Sequence, residues 1–350
     1  MWFGANPMVP QLECIRRCAR SRRGPEIALA LMAIALMGAS AAGQSYDSEV
    51  HINPRPPVES SKPAFVDPGL QTHTRPIVKD VDMVLVPVTV TDPMNRLVTG
   101  LEKDNFQVFE GSNQQQIRHF SSEDVPVSVG IIFDTSGSMA DKIDKSRDAV
   151  VEFCKAANPQ DEFFMIGFSD EPTLLADFTQ NVDDIQGKLI FVTARGRTAL
   201  LDAVFLGVNK LRQARYAKRA LLIISDGGDN HSRYTEDEIR SMVREADVQI
   251  FGIGLYDLVP GTIEEKLGPG LLDEITEVTG GRTFRVDNLN ELSDVAAKIG
   301  IELRNQYVLG YRPNNPVHDG KWHKLKVKLL PPKGLPPLHV YAKTGYYAPE

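Results

Sequence analysis

The chain has 350 residues, of which 42% are hydrophobic, and a formal net charge of -7 at pH 7. This length and composition are typical of a core-forming soluble protein with one large domain or two smaller ones. The acidic balance argues against nucleic acid as a partner, because binding to phosphates requires a basic surface.

Residues 1–43 have the parts of a secretory signal peptide. Five arginines precede an apolar run at 27–43 that ends in small residues. The run is shorter than the about 20 apolar residues of a membrane-spanning helix, so we expect cleavage, with membrane attachment only if the segment is uncleaved. The sequence therefore predicts an exported protein, periplasmic or extracellular.

Residues 44–78 are rich in proline and lack periodicity, which predicts a linker. Two of the three cysteines, Cys14 and Cys18, lie in the predicted signal peptide, so Cys154 remains alone in the mature chain. Cys154 shares a helical apolar face with Ile143 and Val150, which favours a buried structural thiol over a catalytic one.

Two segments, 79–124 and 306–350, have the alternating pattern of β-strands. In the first, Val84, Val86, Val88 and Val90 share one strand face, and Pro87 on the other face suggests an edge position. A hairpin around residues 111–113 follows. In the second segment, 321–330 alternates apolar residues with solvated lysines, and 338–347 predicts one more strand.

Between these segments, at 125–305, apolar strands alternate with helical patterns. This order predicts an α/β fold with a doubly wound, mainly parallel sheet. The predicted strands are 127–134, 161–169, 219–226, 248–255 and 281–286, and the predicted helices are 142–157, 183–192, 198–214, 235–246, 269–278 and 289–304. Because each flanking segment has too few strands to be stable alone, we hypothesise that the two pair into one small β-sandwich.

Three strand-to-helix junctions in this block carry acids and hydroxyls. They contribute Asp134, Ser136 and Ser138 from "DTSGSM", Thr198 from "GRTAL", and Asp226 from "ISDGGDN". Ligands of open parallel sheets gather at such junctions. Carboxylate and hydroxyl oxygens suit a hard cation such as Mg2+, whereas Zn2+ or copper calls for histidine or thiolate. The alternative for each junction taken singly is ordinary helix capping.

These three motifs resemble the metal-ion-dependent adhesion site of von Willebrand factor type A domains. The flanking "VLVPVTVTD", "NFQVFE" and "NQYVLGYRP" resemble the bacterial secreted group related to that family, frequent in Acidobacteria. The resemblance implies a Rossmann-like von Willebrand factor A fold at 125–305. It also implies that Ser136, Ser138 and Thr198 contact the metal, with Thr198 acting through water in a closed state. Asp134 and Asp226 then act mainly through water and hydrogen bonds, and an acidic group of a partner completes the coordination.

The sequence thus predicts a non-enzymatic, metal-dependent binding module that engages a carboxylate of a protein partner. Mg2+ is the expected cation, with Mn2+ or Ca2+ as alternatives, and no small-molecule substrate is expected. One alternative function is a structural subunit of an envelope assembly. A serine hydrolase is less supported, because neither serine loop has the G-x-S-x-G pattern and no histidine is near in sequence.

Two neighbouring features have two interpretations each. Arg195 and Arg197 precede Thr198 and either favour an anionic partner or are solvated loop residues. Asp229, Asn230 and His231 form either a second site or a polar loop.

Overall fold

The computed structural model of the chain describes residues 83–256, 263–314 and 318–349. The predicted signal peptide and linker, with Cys14 and Cys18, lie outside these residues. In this part of the chain no helix combines the length and the apolar character needed to cross a membrane.

Fourteen strands and six α-helices are formed by the described residues. The strands are β1 (Val84–Thr91), β2 (Phe106–Glu110), β3 (Asn113–Gln115), β4 (Ile117–Ser121), β5 (Val127–Asp134), β6 (Glu162–Phe168), β7 (Pro172–Thr179), β8 (Lys218–Ser225), β9 (Gln249–Gly254), β10 (Thr283–Arg285), β11 (Tyr307–Tyr311), β12 (Trp322–Leu329), β13 (His339–Ala342) and β14 (Gly345–Tyr347). The helices are α1 (Ile143–Ala156), α2 (Val182–Leu189), α3 (Leu200–Leu211), α4 (Glu236–Glu245), α5 (Ile263–Glu277) and α6 (Leu292–Arg304).

The central sheet has six strands in the order β10-β9-β8-β5-β6-β7. All neighbours are parallel except β7, which is antiparallel to β6. Helices α1, α2 and α6 cover one face and α3, α4 and α5 the other, each with its own hydrophobic core. The predicted doubly wound, mainly parallel α/β fold is therefore confirmed.

Every residue of β5 is buried, because helices cover both faces of the sheet. Full burial of one large apolar side chain stabilises a fold by about 1.5–3 kcal/mol, so this strand is a major part of the core. The chain leaves β5 toward β6 on one side and later returns to β8 on the other. The strand order therefore reverses between β5 and β8, which is where open α/β sheets bind ligands.

Strands from both flanking segments pair in two antiparallel sheets, with the orders β13-β1-β11-β4 and β14-β12-β2-β3. Val88 of β1, Val108 of β2, Leu309 of β11 and Leu325 of β12 belong to one buried cluster, so the two sheets share a core. This agrees with the hypothesis that the segments pair. The domain boundaries themselves stay predictions.

Pro87 is at an edge for only part of β1. Residues 84–88 pair with β11 on one side, whereas β13 pairs on the other side only from Val88 onward. Because proline has no N–H to donate, the unpaired side of this first half accommodates it.

Some elements differ from the sequence predictions. Strand β7 was missed, since it is a largely exposed edge strand whose pairing with β6 is interrupted by register shifts. Helix α5 begins at Ile263, six residues before the predicted start at Pro269, so this proline lies inside the helix and does not open it. The single strand predicted at 338–347 was wrong, because it is two strands in different sheets, β13 and β14. Between them the Thr344 N–H leaves the ladder and donates to the Val278 carbonyl, which separates the two strands.

Candidate functional site

Asp134 is the last residue of β5 and is fully buried at the reversal point of the sheet. Its Oδ2 accepts a hydrogen bond from the Ser225 hydroxyl at the end of β8, at 2.6 Å. Its Oδ1 accepts the Ser136 backbone N–H at 2.8 Å. Asp134 is thus held in one orientation by the two strands that flank the reversal point. Sequence reasoning missed Ser225, because its role depends on the pairing of β5 with β8.

The serine loop that follows β5 brings two hydroxyls together. The Oγ atoms of Ser136 and Ser138 lie 3.0 Å apart. Ser136 is buried at the end of the sheet, whereas Ser138 is exposed to solvent. Gly137 lies between them and donates its backbone N–H to the Gly196 carbonyl at 3.0 Å. Its Cβ position would be only 3.3 Å from that oxygen, so a larger residue would crowd this contact.

Thr198 is buried two residues before α3, in a loop anchored on both sides. Its N–H donates to Asn230 Oδ1 and its carbonyl accepts the Asn230 N–H, both at 3.0 Å. On the serine side, the Arg195 N–H donates to the Thr135 carbonyl at 2.7 Å. The Thr198 loop is therefore joined by backbone hydrogen bonds to the loops after β5 and β8.

Asp229 and Asn230 stabilise this arrangement as loop anchors. Asp229 Oδ2 accepts the Leu201 N–H in the first turn of α3 at 2.9 Å and the Ser232 hydroxyl at 2.6 Å. These bonds favour the interpretation of residues 229–231 as a polar loop over that of a second site. Asp229 thus caps α3, which begins at Leu200, 29 residues before the aspartate in the chain. This cap can be identified only in the folded structure.

Asp226 follows β8 and is buried, as Asp134 is. Burial raises the pKa of Asp134, and the nearby Asp226 carboxylate raises it further, while hydrogen bonds from Ser225 and Ser136 lower it. The charged form of Asp134 is thus disfavoured both by burial and by a like charge, and a cation beside it would favour that form.

All five predicted site residues lie at this one edge of the sheet, within three mutually bonded loops. They offer two carboxylates and three hydroxyls. In the part of the chain that the structure describes, no cluster of three or more His, Cys, Asp or Glu side chains forms a metal-binding group.

The two arginines beside the site differ in their contacts. The Arg197 N–H donates to Asp170 Oδ1 at 3.1 Å, and its guanidinium Nε lies 3.3 Å from the same oxygen. These hydrogen bonds hold the pKa of Asp170 below its usual range. Both arginines are exposed, but Arg197 is paired with Asp170, whereas no ion pair of Arg195 is found among the described residues.

The surroundings of Cys154 and His231 determine what their side chains can do. Cys154 is buried in α1, and burial raises the pKa of its thiol to about 12, which keeps it protonated. The His231 N–H donates to the Thr198 carbonyl at 3.1 Å. Among the described residues, no hydrogen bond joins its ring to Ser136 or Ser138.

Residues 129–228, which contain all five site residues, match the family model described as von Willebrand factor type A domain. The chain therefore carries a von Willebrand factor type A domain. The match begins in β5 and ends just after Asp226.

The chain is also similar to animal proteins and to a bacterial structure. It is 30% identical over 146 residues to mouse inter alpha-trypsin inhibitor, heavy chain 4, covering 37% of this chain and 16% of that protein. It is 24% identical over 223 residues to human inter-alpha-trypsin inhibitor heavy chain H4, covering 58% and 23%. The chain thus spans less than a quarter of the length of these relatives. The solved structure of a von Willebrand factor type A protein from Catenulispora acidiphila aligns with a TM-score of 0.46 at 11% identity, covering 75% of this chain and 74% of that one.

Proposed function

We propose that this protein is an exported, non-enzymatic module that binds a protein partner through a divalent cation. The single observation that supports this best is the pairing of two buried acids, Asp134 and Asp226, at the reversal point of the sheet. A cation favours the charged form of a buried carboxylate that lies near a second acid. Ser136 and Ser138 place two hydroxyls in the adjoining loop, where the site meets solvent.

The residues present fit a hard divalent cation. Their donors are all oxygens, which favours Mg2+, with Mn2+ or Ca2+ as alternatives. Ser136, Ser138 and Thr198 are the proposed direct ligands, and Asp134 and Asp226 are proposed to act mainly through water and hydrogen bonds. When bound, the cation supplies an open coordination position for a carboxylate of the partner.

The chain's own residues keep that position open and oriented. Ser225 and the Ser136 N–H use both oxygens of Asp134, so this carboxylate is fixed behind the serine loop. Ser138, which is exposed, marks the direction from which a partner approaches. We propose that the partner offers an acidic side chain there and that Arg195 adds to its attraction.

The domain arrangement is part of the same proposal. Residues 1–43 are proposed as a signal peptide, 44–78 as a linker, and 125–305 as the von Willebrand factor A domain between β segments at 79–124 and 306–350. The proposed location is the periplasm or the outside of the cell. A structural subunit of an envelope assembly has the same fold and site, so it is the alternative that the experiment below must separate.

Capture of partners from an envelope fraction tests this function. The full chain is immobilised in Mg2+ or in chelator, alongside Ser138→Ala, in which one exposed ligand hydroxyl is removed. Ser112→Ala, in the exposed β2–β3 turn, is the matched control. We expect a partner that is held in Mg2+ by the wild type and the control, and that is lost in chelator and in Ser138→Ala. A partner retained in all four conditions would contradict the proposal and support the structural subunit.

A further inference from the structure

A cavity of about 470 Å³ lies at the opposite edge of the central sheet from the candidate cation site. It is bordered by the first residues of β8 and β9, by the carboxyl ends of α4 and α5, and by β1, β11 and β12 of the flanking sheets. The volume falls in the range of about 300–1,000 Å³ that small-molecule sites occupy, and such sites are frequent between packed units.

The walls of the cavity are mostly apolar. They include Leu85 and Pro87 from β1, Val243 from α4, Val278 after α5, and Trp322 from β12. A second cavity of about 280 Å³ shares Leu85 and several other lining residues, so the two are adjacent. Surfaces of this kind favour the apolar part of a ligand.

Basic side chains are concentrated around this cavity, although the chain as a whole has a net charge of -7. Four cationic residues and one acidic residue line it, namely Lys218, Arg219, Arg244, Lys343 and Asp247. Two of the cations are used by the protein itself. Lys218 Nζ donates to the Leu303 carbonyl at 2.5 Å, and Lys343 Nζ pairs with Asp247 at 3.0 Å.

Arg219 is the cation whose own interactions are incomplete. Its Nε atom is buried and has no hydrogen-bond partner among the described residues. Arg219 shares a strand face with the buried Leu221, so its side chain lies on the cavity's side of the sheet. Buried polar atoms of native proteins are almost always hydrogen-bonded, which makes this atom a signal of an absent partner.

Arg244 is the second available cation. Its guanidinium carbon lies 5.8 Å from the centre of the Trp322 ring, on the rim of the same cavity. A planar guanidinium group recognises a carboxylate with two parallel hydrogen bonds.

We propose that this cavity binds a small amphipathic carboxylate, with the apolar chain against the valine, proline and tryptophan walls and the carboxylate on Arg219. The proposal does not depend on the cation site, which lies at the other edge of the sheet. Arg244 closes the open side of the cavity over the ligand, next to Trp322.

Decanoate is a suitable probe, with decanol as its uncharged analogue. In a Trp2→Phe background Trp322 is the single tryptophan of the chain, so its fluorescence reports occupancy directly. Calorimetry on the same full-length protein gives the affinity. The variants are Arg219→Gln, which removes the charge, and Ala246→Phe, which fills the cavity. Arg212→Gln, exposed at the end of α3 and away from the cavity, is the control.

We expect decanoate to change Trp322 fluorescence and to bind at least about tenfold more weakly to Arg219→Gln, as loss of a charged hydrogen bond implies. Decanol should bind the wild type about as weakly as decanoate binds that variant. Ala246→Phe should abolish binding and Arg212→Gln should leave it unchanged. The proposal is overturned if decanoate does not bind, if it binds no better than decanol, or if both cavity variants bind it like the wild type.

Discussion

At Asp134, burial and the like charge of Asp226 act in the same direction, and both disfavour the charged form of this carboxyl group. A residue arrangement that lowers stability is common where a protein binds a ligand, because function there depends on groups that are incompletely satisfied. Burial of the serine and threonine hydroxyls of the site does not lower stability in this way, because hydroxyls are uncharged. The acids are therefore the residues whose substitution distinguishes a cation site from a capping loop.

His323 forms a second ionisable cluster, far from the site, inside the flanking sheets. Its Nδ1 lies 2.6 Å from Glu110 Oε1 and its Nε2 lies 3.3 Å from Asp319 Oδ1. The Tyr311 and Tyr346 hydroxyls donate to the same Glu110 carboxylate. The hydrogen bond to Glu110 raises the pKa of His323 above its ordinary value, and Asp319 raises it further.

Stability is therefore predicted to depend on pH through His323. Because its folded pKa exceeds the unfolded value of about 6.5, the stabilisation is complete below that pH and is lost as pH rises through the folded pKa. Urea unfolding at pH 5.5, 7 and 9 should show that His323→Gln lowers the free energy of unfolding most at pH 5.5. His119→Gln, on the exposed side of β4, is the matched control and should change the free energy of unfolding by no more than about 0.5 kcal/mol. A His323→Gln effect that grew toward pH 9 would refute this.

At the scale of elements, the buried strands of the central sheet could be predicted, whereas its exposed edge strand β7 could not. Strand β5 is buried along its whole length, is apolar except for Ser128, and ends in an acid, so its bounds were predicted to the residue. Strand β7 has only Ala176 fully buried, so its sequence has no clear alternation. The start of α5 was misplaced because proline is most common in the first helical turn, whereas Pro269 is the seventh residue of the helix.

Helix α5 packs against the loop after β8, and no sequence pattern predicts this contact. A Cβ added at Gly268 would lie 2.5 Å from the Gly227 carbonyl carbon and 2.9 Å from the Gly228 nitrogen. This backbone contact supports the loop that carries Asp226. At Gly270, two residues later in the same helix, a Cβ would meet nothing within 4 Å.

These two glycines give a matched pair of substitutions. Gly268→Ala should destabilise the protein by about 1–3 kcal/mol, because the added methyl group overpacks the contact, and it should weaken stabilisation by Mg2+. Gly270→Ala should be neutral or stabilise by up to about 1 kcal/mol, because alanine favours the helix. Urea unfolding with and without Mg2+ measures both. Equal effects of the two substitutions would show that the Gly268 contact is not a support of the site.

At the scale of the whole molecule, the buried Arg282 contacts both the central α/β unit and the flanking sheets. Arg282 precedes β10 and bonds Glu302 of α6 at 2.7 Å. Its guanidinium carbon lies 4.4 Å from the Phe284 ring centre and 4.5 Å from that of Tyr341 in β13. The sequence could predict two sets of strands at the ends of the chain, but not this contact, because it depends on how distant elements pack.

Removal of one partner of this pair should be strongly destabilising. Burial raises the pKa of Glu302 and Arg282 lowers it again, so in Arg282→Leu the carboxylate is buried without its cation. We expect a loss of about 3–5 kcal/mol in the free energy of unfolding, most of which Arg282→Leu/Glu302→Leu should recover. Glu171→Ala, which breaks the exposed pair with Arg233, should cost at most about 1 kcal/mol. A double variant as unstable as Arg282→Leu alone would contradict this account.

The central claim, that Asp134, Ser136, Ser138, Thr198 and Asp226 hold a divalent cation, is tested most directly by the stability of Asp226→Asn with and without Mg2+. Removing one of the two facing charges should raise the stability of the metal-free protein by about 0.5–2 kcal/mol and abolish its response to Mg2+. The wild type and the exposed control Asp148→Asn should gain about 2.7 kcal/mol at a Mg2+ concentration one hundred times Kd, reversed by chelator. A wild type that does not respond to Mg2+, Mn2+ or Ca2+, or an Asp226→Asn variant that responds as the wild type does, would contradict the claim.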